Sequence, residues 1–165
     1  MNALKAWKAS FTRRWHSNYD LADTLDYVAG HQGRVALLML ALKPDVSRVA
    51  LIHAITHDQG EVATGDVSAM VKRAMSHDCR DQLAFCEAEE VIAQFGDLQN
   101  LTVMETMLLR LCDRLDAWMW MMRHARHLYA REDWQKQLAE TQDLAAVLGL
   151  DEEVESLIDG MEQRA

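Results

Sequence analysis

A single proline, Pro44, and seven glycines in 165 residues leave this chain too few reversal points for an all-β domain, which needs a turn about every 8–12 residues. Ten methionines, abundant Leu and Ala, and many charged residues favour helix instead. The expected fold class is all-α. Half of the residues are apolar and the length suits about one domain, so residues 1–165 are expected to form one compact bundle around one core. With 17 basic against 26 acidic residues the net charge is −9, which argues against coating long nucleic acids, because backbone binding needs clustered Lys and Arg. Cys79, Cys86 and Cys112 are an odd, sparse set with no CxxC pair, so neither a disulfide framework nor a zinc ribbon is expected. The opening MNALKAWKASFTRRW has no continuous apolar core for a signal peptide, and the longest apolar run, Val35 to Leu42, is far short of the ~20 residues of a membrane span. The expectation is a cytoplasmic protein with no membrane partner.

Caps and periodicity divide the chain into about six to eight helices, a number suited to a bundle. A short first helix is expected over Asn2 to about Phe11, and a longer one over about Leu21 to Leu42, locally weakened by Gly30 and Gly33. Pro44 marks a helix-to-helix turn, and Asp45 or Ser47 can cap the next helix, which should end near Gly60. From Gly60 to Val67 the composition is that of a loop. A helix from about Asp78 to Phe95, stopped by Gly96, precedes one that starts at Thr102, where Thr102 and Glu105 form a T-x-x-E capping box. The last two helices are expected over about 132–148 and 151–161.

His57 and Asp58 come first among candidates for chemistry, because an imidazole beside a carboxylate can reach one cation of intermediate hardness. An isolated pair of this kind is equally a charged helix end. His31 and Asp113 are also polar residues embedded in apolar helical surroundings. A buried Asp113 needs a positive partner, which a metal ion, Arg110 or Arg114 would supply. Together His31, His57, Asp58 and Asp113 offer a ligand set from three helices suited to a catalytic cation with open positions.

The string His57-Asp58-Gln59-Gly60-Glu61-Val62-Ala63-Thr64-Gly65-Asp66, with His31 before it and Asp113 after it, resembles the HD-domain metal-dependent phosphohydrolases. Its HD-x-x-E-V-x-T-G-D segment, with the upstream Arg14-Trp15 pair, is similar to the bacterial 5′-deoxynucleotidases, and the likeness in order and character runs from about Arg14 to Met119. The resemblance implies that His31, His57, Asp58 and Asp113 bind one divalent metal and that Glu61 stands beside the attacking water. It implies a phosphate contact for Arg14, a sugar contact for Trp15 that disfavours a 2′-hydroxyl, and a 3′-hydroxyl contact for Asp66. Thr64 would shape the loop beside Asp66, and Lys72 would meet a further phosphate. Arg13 precedes Arg14, so the phosphate contact can shift by one residue. Imidazole and carboxylate ligands leave the metal open among Co²⁺, Mn²⁺, Zn²⁺ and Mg²⁺.

The chain departs from the 5′-deoxynucleotidase pattern in Gly30-His31-Gln32-Gly33, where a glutamate usually precedes the histidine, and in His16-Ser17-Asn18-Tyr19 after the Arg-Trp pair. These features look more like the compact bacteriophage HD enzymes, including the dATP triphosphohydrolases of phages that replace adenine by 2-aminoadenine. The implied reaction is dATP plus water to deoxyadenosine plus triphosphate, with the break between the 5′ oxygen and the α-phosphorus. The alternatives are a 5′-deoxynucleotidase releasing phosphate from deoxyribonucleoside monophosphates, and a catalytically silent HD-like binding module. The expected partners are a small deoxyribonucleotide and further copies of the same chain in a homo-oligomer.

Four further features lie outside the motif. His53, four residues before His57, lacks the glutamate of an HExxH zinc pair and reads as a packed histidine. Arg123, His124, Arg126, His127 and Arg131 form a dense positive patch that would attract phosphates, line a subunit contact or stay solvated. Residues 117–122 are apolar all around a helix, which points to a buried central helix or a homo-oligomer contact. Cys79 and Cys86, seven apart on one helical face, read as core filler.

Overall fold

The computed structural model describes residues 1–163; Arg164 and Ala165, the end of the expected 1–165 domain, lie outside them. The protein is all-α. Among the described residues its helices are α1 (Ala3–Ala9), α2 (Val28–Leu42), α3 (Arg48–Ala54), α4 (Glu61–Thr64), α5 (Ala69–Ala74), α6 (His77–Phe95), α7 (Val103–His124), α8 (Glu132–Leu148) and α9 (Asp151–Glu162). A 3-10 turn spans Arg126–Leu128. The count passes the expected range because α4 is a short helix inside the 60–67 stretch read as loop and α5 a short helix in the unassigned stretch that follows it. Among the described residues, no helix is long and apolar enough to cross a membrane.

Residues group into two compact units, one of 1–33 with 53–100, the other of 34–52 with the chain from 101 onward. In the second unit α7 packs against both α8 and α9, and α8 against α9. Leu111, Leu115 and Trp118 are fully enclosed along one side of α7, with Met121 and Met122 extending the row, while Leu138 and Ala145 of α8 and Val154 and Ile158 of α9 are also buried. Each of the Leu, Val, Ile and Met side chains among these contributes about 1.5–3 kcal/mol through loss of apolar surface to water. The apolar run at 117–122 thus lies on a largely buried helix, and Trp120, one of its two half-exposed members, has its own cover. Trp120 lies under the Arg34 guanidinium, 4.3 Å from the ring centre, and against His124 at 4.2 Å. Arg34 also forks onto the buried Asp116 at 2.6 and 3.1 Å, a bidentate pair.

The caps act where the sequence predicts them. Thr102 and Glu105 close a reciprocal capping box at α7, Ser47 accepts the Ala50 N–H at the start of α3, and Gly96 ends α6. Two members of the positive patch have structural partners: Arg126 donates to the Met161 and Glu162 carbonyls that end α9, and Arg131 pairs with Asp133.

In the first unit α6 packs against α1 and α4. Three expectations fail here. The second helix begins at Val28, not near Leu21, because long-range contacts hold 21–27 irregular: the Arg14 N–H donates to the Asp26 carbonyl and the Val28 N–H to the Thr12 carbonyl. The helix carrying His53 ends at Ala54, and 55–60 run as turns, so His57 and Asp58 stand beyond a helix rather than in its last turn. Cys79 and Cys86 are exposed, not core, since the buried edge of α6 is the one carrying Gln94.

Gly60 is required for space rather than for backbone freedom. Its φ is −66°, yet a Cβ there would overlap the Glu87 carbonyl oxygen and lie 2.7 Å from the Glu87 carbonyl carbon and Cα. Backbone atoms of a long helix cannot step aside as a side-chain tip can. Gly60→Ala is expected to cost about 1–3 kcal/mol, the range for overpacking, measured by urea unfolding.

Candidate metal centre

Buried polarity is concentrated in the first unit. Of the ten polar or charged residues buried among the described residues, eight belong to it: Arg14, Asp26, His31, Gln32, Thr56, Gln59, Glu61 and Gln94. Burying such groups is costly unless they are paired or used, which marks this unit as the place for chemistry.

At its centre two imidazoles meet a carboxylate. Nε2 of the fully buried His31 lies 3.2 Å from Nε2 of His57 and 3.3 Å from Oδ2 of Asp58, and His57 Nε2 lies 3.5 Å from Asp58 Oδ1. The opposite nitrogen of His57, Nδ1, is 2.9 Å from the Ala54 carbonyl oxygen, which can only accept. Nδ1 therefore carries the proton, and in the neutral ring the Nε2 lone pair faces His31 and Asp58, the tautomer a metal ligand needs. Burial pushes the Asp58 carboxyl up, but the His57 charge, the His31 hydrogen bond and charge, and Arg14 outweigh it and hold the group well below the usual carboxylate range.

The turn that presents His57 and Asp58 is held by Gln32, the neighbour of His31 and 2 % exposed. In the amide orientation that satisfies its surroundings, its nitrogen donates to the Ile55 carbonyl at 3.0 Å and its oxygen accepts from the Asp58 and Gln59 N–H groups at 3.1 and 3.2 Å. Gln94 of α6 adds a second tie by donating to the Gln59 carbonyl at 3.2 Å. Both glutamines escape sequence reasoning, since their partners in the turn lie 23 to 35 residues away.

Glu61 opens α4 with a buried side chain, and its Oε2 has no hydrogen-bond partner among the described residues. Burial, and then the negative charges of Asp58 and Asp66, push its carboxyl up to about 9, against Lys72 and Arg14. Lys72 Nζ stands 4.0 Å from Glu61 and 3.7 Å from Glu87, and Thr64 donates to the same Glu87 oxygen at 3.2 Å. Glu87 is a further residue that sequence reasoning did not find.

Arg14 is buried and donates to Asp26 at 3.1 Å, and Arg13 donates to the Ala22 carbonyl at 2.5 Å. Trp15, under the Arg14 guanidinium at 5.0 Å, has its backbone N–H 2.6 Å from Asp66 Oδ2. His53 is half-buried and directs its ring to the Gln99 carbonyl at 2.8 Å, so it is neither a core residue nor a partner of His57 in an HxxxH pair.

The remaining candidate, Asp113, belongs to the second unit. It is half-buried on α7 between the enclosed Cys112 and Arg114, whose guanidinium pairs with Glu140 of α8. Burial, with the Asp113 charge beside it, pushes the Cys112 thiol up to about 12, which leaves that thiol inert. Comparison of the chain with protein-family models, with curated proteins and with solved structures finds no match.

Proposed function

We propose that the protein is a metal-dependent phosphohydrolase of the HD type acting on small deoxyribonucleotides, most specifically a dATP triphosphohydrolase. The observation that carries this reading is the convergence of His31, His57 and Asp58 on one point with Glu61 buried nearby. His31, His57 and Asp113 have donor types that could hold a metal ion, and with Asp58 they complete the proposed ligand set. The donor set fits: two imidazole nitrogens, one in a fixed tautomer, a carboxylate kept ionised, and an orphaned buried carboxyl oxygen that needs a partner.

A divalent cation held there would acidify water and offset phosphate charge. The protein's own residues do the rest. Glu61, protonated while the negative charges of Asp58 and Asp66 face it unopposed and ionised when a cation is near, takes a proton from the attacking water and returns one to the 5′ oxygen as it leaves. Arg14, already within the field of Asp58 and Glu61, meets the phosphate, while Trp15 and Asp66 bound the sugar.

Lys72 favours a second reading. Its ammonium is engaged by Glu87, which draws it from a distal phosphate and suits a monophosphate substrate. Incubating Mn²⁺- or Co²⁺-loaded protein with dATP, dAMP and their ribose counterparts, with products followed by phosphorus NMR, separates the readings. Tripolyphosphate from dATP supports triphosphohydrolase activity; orthophosphate from dAMP alone supports the 5′-deoxynucleotidase; no hydrolysis of any deoxyribonucleotide rejects both and leaves an HD-like binding module. Gln32→Leu, which frees the 55–60 turn without touching a ligand, is expected to weaken metal binding about 10–100-fold by isothermal titration, the range for loss of a supporting partner.

A further inference from the structure

We propose that Asp26 is a positioning residue that locks Arg14 and Trp15 into one rigid recognition element beside the His31–His57–Asp58 cluster. This rests on the phosphohydrolase reading for its consequence in turnover, though not for its structural content. One Asp26 carboxylate oxygen, Oδ2, accepts from the Arg14 guanidinium at 3.1 Å and from the Trp15 indole N–H at 3.2 Å, while the Asp26 carbonyl accepts the Arg14 backbone N–H at 3.0 Å. Asp26 is 1 % exposed and Arg14 is 7 % exposed, so neither is a solvated surface charge.

The conformation being held is not a relaxed one. Trp15 is, among the described residues, the one non-glycine residue at positive φ, 63°, a region that costs a bulky side chain about 1–3 kcal/mol unless its surroundings impose it. Two carboxylates impose it from opposite ends of the residue: Asp66 takes the backbone N–H and Asp26 takes the indole N–H. The same Asp26 oxygen fixes the guanidinium whose charge is felt at Asp58 and Glu61. A long side chain that would otherwise sample many rotamers is thereby aimed before any ligand arrives, and the cost of ordering it is met in folding rather than in binding. Asp26 has no place among the proposed metal ligands or reacting groups, so its removal weakens substrate capture rather than the chemical step.

The test compares the parent with Asp26→Asn, which keeps the volume and loses the charge, and with Asp26→Ala, all as Mn²⁺-loaded protein. For dATP hydrolysis the expected result is a KM raised at least about tenfold, the effect of losing a hydrogen bond to a charged group, with kcat within about threefold and Mn²⁺ stoichiometry unchanged. Binding of inorganic tripolyphosphate weakens by the same factor. In metal-free protein, nitrogen–proton spectra, with the indole signal assigned through Trp15→Phe, show the Trp15 indole proton protected from exchange in the parent and exposed in Asp26→Ala. Should Asp26→Ala not fold, the Asn variant and the parent's own indole protection still decide the matter. An unprotected Trp15 indole in the parent, unchanged KM and tripolyphosphate affinity, or a kcat that falls while KM holds would each overturn the proposal. If the parent hydrolyses no deoxyribonucleotide, the functional reading falls by itself, and the indole and tripolyphosphate measurements still test Asp26.

Discussion

Asp58→Ala is expected to abolish turnover and to weaken divalent-metal binding by more than about 100-fold, beyond the range seen when only a supporting partner of a ligand is lost. The expectation follows from how Asp58 sits. One carboxylate reaches both imidazole Nε2 atoms, one oxygen to each, so removing it leaves two nitrogens 3.2 Å apart without the negative charge that lies between them. The carboxyl is also held well below its usual range by those imidazoles and Arg14, which keeps it ionised and ready to ligate throughout the physiological range. The variant itself should stay folded, because Gln32 holds the turn through the Asp58 backbone N–H rather than its side chain. Metal binding followed by isothermal titration, alongside circular dichroism, checks both halves.

Glu61→Gln is expected to keep the metal and lose about 10²–10⁴ in turnover, the usual contribution of a positioned acid–base group. It also carries a pH signature in the metal-free protein. The carboxyl is pushed up to about 9 from an ordinary 4.5, so between those values the folded protein holds a proton that the unfolded chain has released. Stability from this group is therefore complete below about pH 4.5 and declines as pH rises toward 9. Glutamine has the shape of the protonated acid and cannot ionise, so the variant should melt higher than the parent at pH 8.5, with only a small part of that gain at pH 5. Thermal melts at the two pH values check it; equal melting shifts at both would show that Glu61 is not held protonated.

Much of the helical layout was legible in the sequence because it is written in local chemistry. The Thr102–Glu105 box, the Gly96 stop and the end of α8 at Gly149 are interactions between residues a few positions apart, and they act as the sequence predicts. The start of α2 is different: whether 21–27 coil or not is decided by Asp26 and Val28 reaching back to Thr12, Arg14 and Trp15. Two short helices escape the sequence reading, α4 inside the stretch read as loop and α5 just beyond it, although Ser68 caps α5 by accepting the Val71 N–H, a signal open to sequence reading. In the site, His31, His57, Asp58 and Glu61 stand out as ionisable residues in apolar or motif-like context. Asp26, Gln32, Glu87 and Gln94 do not, since each gains its role from a partner far along the chain. Lys72 shows the limit from the other side: its position suggested a phosphate contact, and its place between Glu61 and Glu87 is set by how α4, α5 and α6 pack.

The central claim, that His31, His57 and Asp58 form a metal centre on which hydrolysis depends, is met most directly by titrating metal-free protein with Co²⁺ and reading the visible absorption of the bound ion. One Co²⁺ per chain in the parent, none in His57→Ala, and deoxyribonucleotide hydrolysis that rises in step with occupancy is the predicted result. A parent that takes up no Co²⁺, or hydrolysis that proceeds unchanged in metal-free protein, would contradict the account.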